Sequence, residues 1–74
     1  MNFGVDFEQE TDGRWIAEIS EIPGVFAYGT TPLQAGARAR ALALRVIADR
    51  LENETSIPGI NSIEFVDRYA MAVN

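Results

Sequence analysis

The chain has 74 residues, 47% of them hydrophobic and 23% charged, with six basic residues (all arginine), eleven acids, no histidine and no cysteine, for a net charge of −5. Those absences exclude a disulfide framework, a thiolate nucleophile, an imidazole base and any Cys/His metal centre. The acidic balance argues against a nucleic-acid surface, whose affinity comes mostly from Lys and Arg releasing counterions, and favours a basic protein partner.

A domain this small buries only about 60% of the surface its unfolded chain exposes, so a docked partner or further copies, as a dimer or tetramer, are expected to complete its burial. No run approaches the roughly 18 apolar residues of a membrane span, and Met1-Asn2-Phe3 lacks the basic start of an export signal. A soluble, cytoplasmic chain that touches no membrane is expected.

In chain order, Phe3, Val5 and Phe7 alternate with Gly4, Asp6 and Glu8, the period of a strand with one buried face. Thr11-Asp12-Gly13 predicts a hairpin, because Asp and Gly both tolerate the positive φ of a tight turn. Trp15, Ala17 and Ile19 then bury on the face of Phe3, Val5 and Phe7, leaving Ile16 and Glu18 opposite. Ile22-Pro23-Gly24 predicts a turn with Pro second and Gly third, leading to a third strand at 25–29.

Thr31-Pro32-Leu33-Gln34 reads as a helix start: Thr31 as N-cap, Pro32 at the first position, Gln34 closing a capping box. The helix runs to about Leu51, with Ala35, Ala39, Leu42, Ala43, Val46, Ile47 and Leu51 as a broad apolar stripe. Gly36 interrupts it and marks a close backbone approach. Arg38, Arg45, Asp49 and Glu52 fall on another side, as a solvated face with weak ion pairs. Residues 53–61, with Pro58-Gly59, read as loop, and 63–66 as a fourth strand. Residues 67–74 fit an edge strand, a strand donated to another subunit, or a frayed end.

The predicted fold is α+β, in the order β-β-β-α-β: an antiparallel meander with one helix packed on one face and a last strand beside it. A single domain covers 1–66, with 67–74 as a C-terminal extension. The expected core is Phe3, Val5, Phe7, Trp15, Ile19, Leu42, Val46 and Ile47.

Four pieces in this order carry a family resemblance: the strand Asn2-Phe3-Gly4-Val5, the segment Asp12-Gly13-Arg14-Trp15-Ile16-Ala17-Glu18, Ile22-Pro23-Gly24-Val25, and Gly29-Thr30-Thr31-Pro32-Leu33-Gln34-Ala35. Over residues 2–51 the chain resembles the HicB family of antitoxins, and Gly36 departs from the helix former usual there. The resemblance implies a truncated ribonuclease H-like fold and a HicA-type toxin as partner, a small basic ribonuclease that cleaves mRNA with a histidine. Family members usually add a C-terminal DNA-binding segment. The residues after the fourth strand are too few for one, so no nucleic-acid binding by this chain alone is expected.

A ribonuclease H-like fold raises the question of a metal nuclease, with Asp6 as the position to test. Two-metal chemistry needs several converging carboxylates. Asp6, Glu8 and Glu10 instead spread along about 13 Å at roughly 3.3 Å per residue, and the helix offers no acid before Asp49. No catalytic, cofactor-binding or metal-binding residue is therefore expected.

Trp15 reads as a core anchor or as an exposed contact aromatic, the apolar Ala17 and Ile19 favouring the core. If Val25 and Ala27 face the helix, Ile16, Phe26 and Tyr28, rimmed by Glu18 and Asp6, form a contact surface for a toxin or a second subunit. A one-residue slip would instead put Phe26 and Tyr28 in the core. Glu8, Glu10, Asp12, Glu18 and Glu21 serve solubility or steer a basic partner. An orphan homo-oligomeric module, a scaffold or small-ligand binder without a toxin, is the other functional reading.

Overall fold

In a computed structural model, residues 1–54 and 58–69 are described. Four strands, β1 (Asn2–Gln9), β2 (Trp15–Glu18), β3 (Phe26–Gly29) and β4 (Glu64–Tyr69), form one sheet, with the helix α1 (Pro32–Asn53) between β3 and β4 in the chain. The class is α+β. The sheet order is β3-β2-β1-β4, with the first three strands antiparallel and β4 parallel to β1. The expected all-antiparallel meander is thus corrected to a mixed sheet. The crossover through α1 carries the chain from one sheet edge to the other, which makes β4 run in the direction of β1.

Both hairpin turns follow from local chemistry. Gly13 N–H donates to Glu10 O (2.9 Å) and Glu10 N–H to Arg14 O (2.7 Å), a three-residue loop in which only Gly13, at φ +93°, is left-handed. Of the two positions that tolerate a positive φ, only Gly13 uses it, and Asp12 serves another purpose. Its carboxylate accepts from Arg14 N–H at 3.0 Å and from Arg14 Nε at 2.8 Å. The Arg14 backbone amide, aided by the guanidinium, holds the Asp12 carboxyl below its ordinary range. At the second turn Val25 N–H donates to Ile22 O (3.2 Å) with Pro23 second and Gly24 third at φ +82°, as its residue types dictate.

The helix start is capped with one difference. Thr31 Oγ1 accepts from Gln34 N–H at 3.1 Å, but Gln34 Oε1 accepts from Thr30 N–H at 2.8 Å, one residue upstream of the expected partner. The amide of Thr30, just past the end of β3, is thereby satisfied by the helix it precedes. At its other end α1 continues two residues beyond the expected Leu51, to Asn53.

The core lies between α1 and the sheet. Phe3, Val5, Phe7, Ala17, Ile19, Ile22, Val25, Ala35, Ala39, Ala43 and Ile47 are buried, with Trp15, Leu42 and Val46 packed partly buried against them. Of the expected core, those three sit at its margin. Alanines at positions 35, 39 and 43 let the helix lie close on the sheet.

Gly36 extends that approach: a Cβ there would lie 2.9 Å from Phe7 Cζ, and the Phe7 ring stacks on Tyr69 with centroids 4.5 Å apart. Gly36→Ala gains about 1 kcal/mol of helix propensity but displaces a buried ring at a cost of about 1–3 kcal/mol. The expected net is a loss of up to about 2 kcal/mol, read by urea denaturation; a stabilised variant would show that the ring yields freely.

Of the readings open for 67–74, an edge strand is what residues 67–69 form. β4 continues to Tyr69, Asp67 pairs with Arg40 of the helix at 3.0 Å, and Arg68 pairs with Asp6 of β1 at 3.0 Å. Residues 67–69 are therefore part of the sheet. Residues 70–74, the rest of the expected extension, lie outside the described residues.

Candidate functional site: the outer face of the sheet

Strand alternation sorts the side chains into two sets. Phe3, Val5, Phe7, Ala17 and Ala27 face α1, and Asp6, Glu8, Ile16, Glu18, Phe26 and Tyr28 face away from it. Of the two registers compatible with the sequence, this is the one found: Glu8 lies opposite Ile16 and Ile16 opposite Tyr28, while Asp6 lies opposite Glu18 and Glu18 opposite Phe26. The burial requirement decides it. Val25 is 2% exposed whereas Phe26 is 47% and Tyr28 37% exposed.

Phe26 and Tyr28 meet edge to face with ring centroids 6.3 Å apart. The Arg14 guanidinium covers the Tyr28 ring, 4.5 Å from its centroid, a cation–π contact that fixes the aromatic at the sheet edge. The half-buried Ile16 lies between these aromatics and a cleft of about 450 Å³ lined by Asp6, Glu8, Glu10, Ile16, Glu18 and Arg68, among others.

The acids of this face are not equivalent. Asp6 is held by Arg68, whose guanidinium also lies 3.9 Å from Glu21, and Glu21 in turn accepts from Gly4 N–H at 3.2 Å. A Cβ on Gly4 would collide with this guanidinium, so the glycine makes room for Arg68 to lie flat on β1. Glu8, Glu10 and Glu18 have no ion-pair partner among the described residues. They form the negative rim, while Asp6, expected there, is half of a charge pair locking β4 to β1.

Asp6 is engaged by a guanidinium, and no three carboxylates among the described residues are grouped so as to hold a metal ion. Trp15 is half-buried on the helix side and is not part of the outer face.

Sequence reasoning named Glu10 among the acids that could steer a partner but did not bring Arg68 and Tyr69 to this cleft. The opposite charges of Asp6 and Arg68 become a signal only once β4 is known to lie parallel beside β1. Comparison with protein-family models, with curated proteins and with solved structures gave no match. No described helix is long and apolar enough to cross a membrane.

Proposed function

We propose that this chain is a non-enzymatic, HicB-like antitoxin domain of partial ribonuclease H-like fold, and that its outer sheet face covers the basic active surface of a small HicA-type, mRNA-cleaving toxin. The observation that carries the reading is the exposed Phe26 and Tyr28 with the half-buried Ile16, beside the acids Glu8, Glu10 and Glu18 that have no ion-pair partner among the described residues. An apolar centre with a charged rim is the anatomy of a protein interface, and unpaired acids steer a basic partner toward it. Masking a nuclease requires no catalytic group from the inhibitor. The four motif segments that resemble the HicB family supply the identity of the partner.

Co-expression with the product of a neighbouring reading frame, a small basic protein with a glycine-rich start and one histidine, is the direct test. Co-purification and rescue of growth from the toxin are expected, with association slowing at high salt as the Debye length falls from about 8 Å at physiological ionic strength to about 3 Å at 1 M. Failure of both binding and rescue favours the orphan homo-oligomeric module.

A further inference from the structure

The two edges of the sheet differ in how they are protected. β4 carries Glu64, Asp67 and Arg68 among its six residues, whereas β3 reads Phe26-Ala27-Tyr28-Gly29, without a charge or a proline. Charged residues and proline are what commonly prevent an edge from pairing with another chain. β3 has neither.

The ladder fixes which backbone groups are open. Ile19 N–H donates to Val25 O at 3.0 Å, and the register continues through Ala17–Ala27 to Trp15–Gly29. In an antiparallel pair alternate residues turn their polar groups to the same side. Ala27 and Gly29 therefore bond β2, and the N–H and C=O of Phe26 and Tyr28 point off the sheet. Arg38 Nη1, reaching from the helix to Tyr28 O at 2.9 Å, marks that same outward side. A carbonyl oxygen has a second lone pair, so Tyr28 O retains an acceptor position.

The helix layer adds an independent requirement. α1 packs chiefly over β3 and β2. Continuing the sheet through β3 into a second copy would place the two helix axes about two strand spacings, about 9.6 Å, apart, within the usual packing distance of about 8–10 Å. Leu42, one turn along from Arg38 on the flank toward this edge, is only half-buried and would be covered. An isolated extended peptide would satisfy the strand but leave that flank open. A second copy completes both layers.

We propose that β3 is a self-pairing edge: two copies join antiparallel about a two-fold axis at Ala27, Phe26 opposite the partner's Tyr28, into one continuous sheet with the two helices side by side. This assembly does not rest on the antitoxin reading: it uses the backbone of the strand edge, keeps the two outer faces on one side of the joined sheet with Phe26 and Tyr28 beside the axis, and is tested without a toxin. Each two-fold pair repeats the edge-to-face contact of Phe26 and Tyr28 across the axis.

Sedimentation equilibrium and residue-resolved amide exchange test it. The expected wild-type mass is twice 8.1 kDa. The amides of Phe26 and Tyr28 should be protected together with those of Ala27 and Gly29. Tyr28→Pro removes an outward N–H from an edge strand, where proline is tolerated, and should raise the dimer dissociation constant about 30-fold or more. Phe26→Lys, which leaves the backbone unchanged, should do the same and carries the test if the proline variant does not fold. Rapid exchange of the Phe26 and Tyr28 amides at concentrations where the wild type is dimeric would overturn the proposal, as would a monomeric wild type or a dimer that survives Phe26→Lys.

Discussion

Gly29→Ala is expected to remove much of the stability of this domain. A Cβ at Gly29 would lie 2.5 Å from Ala35 N, 3.0 Å from Ala35 Cα and 3.0 Å from the Gln34 carbonyl carbon, all of them backbone atoms. The φ of Gly29 is not positive, so the requirement is for space and not for a left-handed conformation. The obstacle cannot rotate away as a side chain would. Ala35 N–H donates to Thr31 O at 3.0 Å in the first turn, which Thr31 and Gln34 also cap. Alanine must therefore lift the start of α1 off β3 and loosen the contacts of Ala35 and Ala39, both 0% exposed. Overpacking of this kind costs about 1–3 kcal/mol, against a total of roughly 4–11 kcal/mol for a chain of this length. The check is a urea melt with a lowered midpoint and an unchanged slope. A midpoint equal to wild type would show that helix and strand can part without cost.

The same glycine shows where sequence reasoning stops. Its place in the Gly29-Thr30-Thr31-Pro32 segment was legible, but the reason for it is a backbone contact across the β3–α1 junction that no local pattern contains. Turns and caps were legible because their partners lie within a few residues: Pro23-Gly24 and Thr31-Pro32 fall where their chemistry requires. The alternation of Phe3, Val5 and Phe7 likewise identified the buried face of β1. β4 was not legible in length or direction. Its last residues, Asp67, Arg68 and Tyr69, are exposed at the sheet edge and form no apolar run; they are fixed by Arg40, Asp6 and Phe7, the nearest of which is 27 positions away in sequence for the Arg40–Asp67 pair. Long-range ion pairs leave almost no trace in periodicity. The outer face was half legible: its apolar members follow from alternation, while the division of its acids into the engaged Asp6 and the unpaired Glu8, Glu10 and Glu18 depends on where Arg68 lands.

The double substitution Phe26→Ser and Tyr28→Ser is expected to separate folding from partner binding. Both side chains stand on the sheet face away from α1, 47% and 37% exposed, and no core residue packs through them. Their loss removes an edge-to-face pair and the Arg14 contact, interactions worth about 1 kcal/mol each at most in exposed positions, so the monomer should stay folded. Binding responds differently. Aromatics at the desolvated centre of an interface commonly cost about 2 kcal/mol or more each on truncation, which for two residues is a loss of about 1,000-fold in affinity. The rim acids remain, so encounter with a basic toxin should keep its salt dependence while dissociation accelerates. Surface plasmon resonance at two salt concentrations, beside circular dichroism of the free variant, distinguishes the outcomes. An unfolded variant would make the two aromatics structural, and unchanged affinity would place the toxin on another surface.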